Sequence, residues 1–255
     1  MHGRVRGNIM AELAIIGGTG LTSLEGVEVV RREVMHTPYG EPSGALIHGQ
    51  IVGKEVVFLA RHGEAHTIAP HRVNYRANLW ALKETGVRRI IAVCAVGGVS
   101  KDMMPRALAI PDQIIDYTWS REHTFFDAGL THVTHIDFTR PYCEELRSVL
   151  LVAAATAGIK LIPGGTYGAT QGPRLETAAE INRMEHDGCD MVGMTGMPEA
   201  ALAREIDLCY AHCAVSANWA AGRGEGIIEM HEIEENLKYS MRQVRTLLEH
   251  VLVNN

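Results

Sequence analysis

The chain alternates two kinds of pattern, and that alternation fixes most of what it can fold into. Nearly continuous apolar, β-prone runs occupy residues 13–16, 56–60, 89–93, 165–169, 191–194 and 208–216. A strand that is apolar on both sides must be covered on both faces, so these runs belong to a sheet sandwiched between helices. Helical periodicity spans 72–85, 141–157, 176–187, 198–205 and 233–251, and in the last of these Ile233, Leu237, Met241, Val244, Leu248 and Val251 share one stripe. The expected fold is a three-layer α/β/α arrangement with a central mixed β-sheet. A chain of 255 residues can bury one full core, so residues 10–255 are expected to form a single domain and residues 1–9 a loose extension.

Open α/β sheets bind ligands beyond the carboxyl ends of their strands. Two glycine-rich segments fall there: Gly17-Gly18-Thr19-Gly20 after the first run and Ala95-Val96-Gly97-Gly98 after the third. The first is not a dinucleotide fingerprint. Counting on from Gly18 and Gly20 puts Ser23 where the last glycine belongs, and the lysine of a P-loop is missing as well. What remains is a turn of exposed N–H groups with the Thr19 hydroxyl, which either holds one phosphate or merely reverses the chain. Arg61 and His62 end another apolar run. A guanidinium there can fork onto two phosphate oxygens, although a lone strand-end arginine is more often a surface charge.

Charge narrows the ligand class. A net charge of −6 and a pI near 6.1 leave no basic footprint for nucleic acid or an anionic membrane, so any small anion must be bound by a local cluster. No apolar stretch reaches the roughly 18 residues of a membrane span. The cysteines, Cys94, Cys143, Cys189, Cys209 and Cys213, are odd in number and lack CxxC spacing; they read as reduced buried thiols of a cytoplasmic protein. The histidines, including the group His62, His66 and His71, carry no zinc signature, so no metal is expected. No Gly-x-Ser-x-Gly elbow points to a covalent nucleophile.

Five segments occur in order: Ile15-Ile16-Gly17-Gly18-Thr19-Gly20, Leu59-Ala60-Arg61-His62-Gly63, Ala95-Val96-Gly97-Gly98, Gly172-Pro173-Arg174 and Val192-Gly193-Met194-Thr195-Gly196-Met197-Pro198-Glu199. Through them the chain resembles the trimeric purine nucleoside phosphorylase and methylthioadenosine phosphorylase family from Leu13 to about Leu248. His66-Thr67-Ile68 and the segment 73–83 look most like the methylthioadenosine branch. The resemblance implies phosphorolysis, in which phosphate attacks C1′ of a purine nucleoside. It also implies a homotrimer with shared sites and no metal or organic cofactor, phosphate being a co-substrate. Thr19, Arg61, His62, the Cys94-Ala95 pair and Thr195 would contact phosphate; Cys94 stands where that branch has Thr, so from this pair only a backbone contact carries over. Met194 would pack on the ribose, and His135 would reach the neighbouring subunit's site near the sugar's 5′ end or else be an ordinary interface histidine.

Glu176 and Asn218 would then choose the base. A carboxylate accepts the N1–H of a lactam, while an amide donates to O6 and N7, a pattern that suits hypoxanthine or guanine. The adenine-using branch has a small hydroxyl residue and an Asp at these places. Glu176 could instead be a first-turn helix carboxylate near the dipole. Leu175 replaces the family's aromatic, so stacking would be weaker or come from Trp219, with Ala220 beside it. At the 5′ end, the apolar spacing of the last helix aligns Met230 and Ile233 where ordinary purine nucleoside phosphorylases have a histidine, and a slip of one residue would substitute His231. An apolar lining suits a methylthio group, a histidine a hydroxyl. The expected reaction converts 5′-methylthioinosine to hypoxanthine and 5-methylthioribose 1-phosphate. A general inosine/guanosine phosphorylase, a methylthioadenosine phosphorylase and a catalytically silent nucleoside sensor stand as alternatives.

Overall fold

The computed structural model describes residues 12–18, 21, 27–128 and 131–253; Thr19 and the 1–9 extension lie outside them. The described elements are β1 (Leu13–Gly17), β2 (Glu28–Glu33), β3 (Leu46–Ile51), β4 (Lys54–Ala60), α1 (Tyr75–Glu84), β5 (Arg89–Gly98), β6 (Leu108–Ala109), β7 (Gln113–Asp116), α2 (Glu144–Thr156), β8 (Thr166–Ala169), α3 (Ala178–His186), β9 (Met191–Gly193), α4 (Gly196–Glu205), β10 (Cys209–Trp219) and α5 (Met230–Val253). They build one mixed sheet in the order β2-β3-β4-β1-β5-β9-β8-β7, with β10 and β6 branching off β5. Strand β5 is the hub. Its start pairs with β1, its whole length with β10 and its last two residues with β9.

Period-two alternation divides the apolar strands between two cores, as full burial requires. In β1, Ala14 and Ile16 face one core, while Leu13 and Ile15 face the other. In β5, Ile90, Ala92, Cys94 and Val96 take the first side and Ile91 and Val93 the second. Helices α1 and α4 cover the first core through Leu79, Leu82, Ala200 and Leu202, and α2 and α5 cover the second through Leu146, Leu150, Val244 and Leu248. Three layers result, as the sequence pattern requires. Among the described residues, no helix is long and apolar enough to cross a membrane.

Two expectations are corrected. The segment Ala95–Gly98 is not a loop after a strand; it is the end of β5 itself, paired to β10 and β9. The glycines serve close approach there, since a Cβ on Gly98 would lie 1.8 Å from the Met103 carbonyl oxygen. The cysteines are not all reduced either: Cys143, the N-cap of α2, is disulfide-bonded to Cys209 at the start of β10, with Cα atoms 5.1 Å apart. Sequence spacing hid this pair because the partners are 66 residues apart and meet only through the fold. Cys94, Cys189 and Cys213 are free and buried, and cysteine usage no longer argues for a compartment.

Candidate functional site

A cavity of about 500 Å3 opens where β1, β4, β5, β9 and β10 end, within the size range of small-molecule sites. Its lining includes Gly18, Arg61, His62, Cys94, Ala95 and Thr195 from the expected anion site, Leu175, Glu176, Asn218 and Ala220 from the expected base site, and Met194, Met230 and Ile233 from the expected sugar site. Residues distant in sequence thus converge on one space. Trp219 and His135 are not part of this lining.

The Arg61 corner is the most deeply built. Arg61 is fully buried, and Glu199 of α4 holds it in a fork, with Nε and Nη2 donating to the two carboxylate oxygens at 2.7 and 2.8 Å. Nη1 donates to the Val93 carbonyl at 3.1 Å, which leaves one hydrogen on each terminal nitrogen uncommitted. Burial works against the charge, but the facing Glu199 carboxylate outweighs it and pushes the arginine pKa upward. A free surface cation is therefore not what this residue is. Its charge is already matched, and two of its N–H groups stay uncommitted beside the cavity it lines. Gly18 permits the approach, since a Cβ there would lie 2.9 Å from Arg61 Nη1 and from the Val93 carbonyl oxygen.

Behind Glu199 runs a chain whose proton directions follow from donor counting. Tyr210 Oη donates to Glu199 Oε1 at 2.7 Å, so it must accept from His212 Nε2 at 2.6 Å; His212 Nδ1 then accepts from the Tyr142 hydroxyl at 3.1 Å. One ring proton suffices, and burial together with the Arg61 charge keeps His212 neutral. Burial raises both tyrosines, so both keep their protons.

His62 is not a second cation. Its Nδ1 donates to the Ile68 carbonyl at 2.8 Å, and burial, then the neighbouring Arg61 charge, lower its pKa to about 4. Neutral His62 can offer an anion only the Nε2 lone pair, which suits a protonated phosphate oxygen. Cys94 is a buried thiol pushed upward by desolvation and is no thiolate. Thr195 is buried, and its N–H donates to the Tyr167 hydroxyl at 3.2 Å.

On the base side, α3 starts later than the periodicity suggests. A capping box between Thr177 and Glu180 sets its N-cap at Thr177, so Glu176 precedes the helix and is not a first-turn carboxylate. The half-buried Glu176 accepts from the Thr170 hydroxyl at 2.6 Å. Asn218 reaches the cavity through a register shift in β10 between Ser216 and Asn218, the kind of bulge that re-aims a side chain. Its amide nitrogen donates to the Trp219 carbonyl at 2.7 Å, so the amide as placed offers a ring one hydrogen, not two. Trp219, expected to help with stacking, lies outside the lining, and a Cβ on Gly224 would come within 3.1 Å of its side chain. Ala220 and Ala221 line the wall instead, next to Leu175.

At the sugar end, the structure separates the two candidates by position. Met230 and Ile233 line the cavity with Ile228, while His231 lies outside the lining and pairs with Glu229 at 3.0 Å. The sequence reading did not single out Glu199 as a partner, nor Arg121 and Thr170. A buried arginine demands a carboxylate, and Glu199 is the acidic residue inside the largely apolar stretch 196–203, so that signal was present. Arg121 left none, since four of its partners are main-chain carbonyls and the others are the neutral Gln171 amide oxygen and Tyr75 hydroxyl rather than a carboxylate.

Residues 12–253 match the phosphorylase superfamily. A probable S-methyl-5′-thioinosine phosphorylase of Pseudomonas syringae pv. tomato is 54% identical over 95% of this chain and 99% of its own. The 6-oxopurine nucleoside phosphorylase of Pyrococcus furiosus is 46% identical over 94% of this chain and 91% of its own. Methylthioadenosine phosphorylase from Schistosoma mansoni, solved with adenine, superposes with a TM-score of 0.92 at 32% identity, covering 96% of this chain and 91% of that one. The chain belongs to the phosphorylase superfamily and is a phosphate-dependent nucleoside phosphorylase.

Proposed function

We propose that the protein phosphorolyses 5′-methylthioinosine to hypoxanthine and 5-methylthioribose 1-phosphate. The carrying observation is that one cavity combines the Glu176 and Asn218 pair with an apolar lip of Ile228, Met230 and Ile233. The 54% identical relative from Pseudomonas syringae supports the same substrate.

In this reading Arg61, Thr195, the backbone at Ala95 and Thr19, the last outside the described residues, hold phosphate below C1′. The sugar gains positive charge as the bond to the purine lengthens, and electron density moves onto the base. Asn218 then donates its free amide hydrogen to N7 or O6, a bond that strengthens as charge develops, and such differential interaction accelerates the step. Glu176 accepts N1–H. Adenine, bare at N1, would leave that carboxylate unpaired, a mismatch that discriminates by about 10⁴ in favourable cases. Phosphate is the co-substrate, and no step draws on a metal or organic cofactor. The proposal extends to a homotrimer in which His135, exposed and outside its own chain's cavity, completes a neighbour's site.

A general 6-oxopurine phosphorylase is the second reading, favoured by the Pyrococcus furiosus relative. Specificity constants on methylthioinosine, methylthioadenosine, inosine and adenosine separate the readings. Methylthioinosine is expected to lead; an adenine nucleoside in first place refutes the base assignment, and inosine in first place refutes the apolar pocket.

A further inference from the structure

Thr170 follows β8 and is buried, and its hydroxyl proton goes to Glu176 Oε1 at 2.6 Å rather than to the Gly193 carbonyl at 3.3 Å. The residue has little freedom to move. Its N–H donates to the Gly193 carbonyl at 2.8 Å, and its own carbonyl accepts from Arg121 Nη2 at 3.1 Å. Arg121 is itself buried and spans two segments of the cavity wall. Nη2 also reaches the Gln171 carbonyl at 2.8 Å, and Nη1 the carbonyls of Met194 and Met197 at 2.8 and 2.6 Å. The segment leading to Glu176 is thereby cross-linked to the segment carrying Met194 and Thr195.

Glu176 needs such a mount. It lies in the loop before the α3 N-cap, half-buried, and a glutamate immobilised only when substrate arrives costs rotamer entropy on each binding event. A hydroxyl donating to Oε1 removes that freedom and uses the carboxylate as an acceptor, the role that a lactam N1–H demands of it. Oε2 has no protein partner among the described residues, which leaves it for the ring.

We propose that Thr170 is a specificity-determining positioning residue, whose hydroxyl holds Glu176 as the acceptor for N1–H of a 6-oxopurine. The inference rests on the base-reading role given to Glu176 above. Valine fills the volume of threonine without the hydroxyl, and serine keeps the hydroxyl without the methyl, so the two substitutions separate bonding from packing.

The test measures kcat/KM for methylthioinosine and methylthioadenosine, and KM for phosphate, in wild type, Thr170→Val, Thr170→Ala, Thr170→Ser, Glu176→Gln and Thr170→Val/Glu176→Gln. Loss of a hydrogen bond to a charged group predicts that Val and Ala each narrow the methylthioinosine preference about 10-fold or more, while Ser stays within about 3-fold of wild type. KM for phosphate should move less than about 2-fold, which a general loosening of the cavity would not allow. Val should add nothing in the Glu176→Gln background. The inference is overturned if Val and Ala keep the wild-type preference, if Ser loses it as they do, or if Val and Gln act additively. A wild type that prefers methylthioadenosine defeats the base reading itself. If wild type prefers methylthioinosine and Glu176→Gln erodes that preference while Val and Ala do not, only the role of Thr170 fails. Should Val not fold, Ala and Ser decide the matter.

Discussion

The Arg61 corner and the α5 lip border the same cavity and are built on opposite principles. At Arg61 every group is buried and partnered, from Glu199 through Tyr210 and His212 to Tyr142. At the lip, Met230 is 63% exposed and Ile228 half-buried, with Ile233 buried beneath them, and the lining there is apolar. The difference follows the chemistry each end serves. Phosphate is common to every phosphorolysis and rewards preorganised donors, whereas the 5′ substituent varies between substrates and is read by apolar contact alone. A preorganised corner should fail sharply when one group is removed, and an apolar lip should yield gradually.

The largest effect is expected at Arg61. Arg61→Ala removes the aimed donors and strands Glu199, so kcat/KM for phosphate should fall about 10³-fold or more, with about 3–5 kcal/mol of stability lost to the unpaired buried carboxylate. Initial rates across a phosphate series, with urea unfolding of the same variant, check both parts. Phosphate dependence left at the wild-type level would remove Arg61 from the site. Glu199→Gln keeps the shape but weakens the fork, and KM for phosphate should rise about 10-fold while nucleoside KM changes little.

Acid should also strike the buried corner first. The folded His62 titrates at about 4 against an ordinary 6.5, so between those values the unfolded chain binds more protons. The stability that neutral His62 contributes is therefore complete above pH 6.5 and is lost as pH falls toward 4, about 3 kcal/mol at most for this group. Burial lowers His66 and His212 as well, which adds in the same direction. Urea unfolding at pH 7.5 and 4.5 should show this loss, reduced in His62→Gln. An equal slope in the variant would contradict the shift.

The lip should respond least. Met230→His exchanges apolar contact for a hydroxyl partner and should shift the inosine to methylthioinosine ratio about 3- to 5-fold toward inosine. A ratio that does not move would place the 5′ contact elsewhere.

The same contrast governs what could be read in advance. The buried strands and the α5 stripe were legible because burial on two faces or on one stripe writes a period into the sequence. Strand β2 was not, because its residues are almost all exposed and its charges hide the β signal; β6 has two residues and no period at all. In the candidate site, Gly18, Arg61, Glu176 and Asn218 were legible through motifs and resemblance and Met230 through the apolar spacing of α5, and all five line one cavity. Trp219 lies outside the lining while Asn218 is in it, and the β10 bulge just before Asn218 is invisible in sequence. Thr170 and Arg121 act mostly through main-chain carbonyls or a single hydroxyl, and such partnerships have no residue-type signature.

The central claim is that Glu176 and Asn218 read a 6-oxopurine, and a double-variant cycle tests it most directly. An ionised Asp at position 218 can only accept, so it repels O6 and suits an amino group or a protonated N7, while Glu176→Ser removes the N1–H acceptor. Specificity constants for methylthioinosine and methylthioadenosine are measured on wild type, Asn218→Asp, Glu176→Ser and the double variant. The account predicts that the double variant reverses the preference toward methylthioadenosine, with the two changes non-additive because both residues hold one ring. A folded double variant whose ratio stays within about 3-fold of wild type, a difference of less than about 1 kcal/mol, would contradict it.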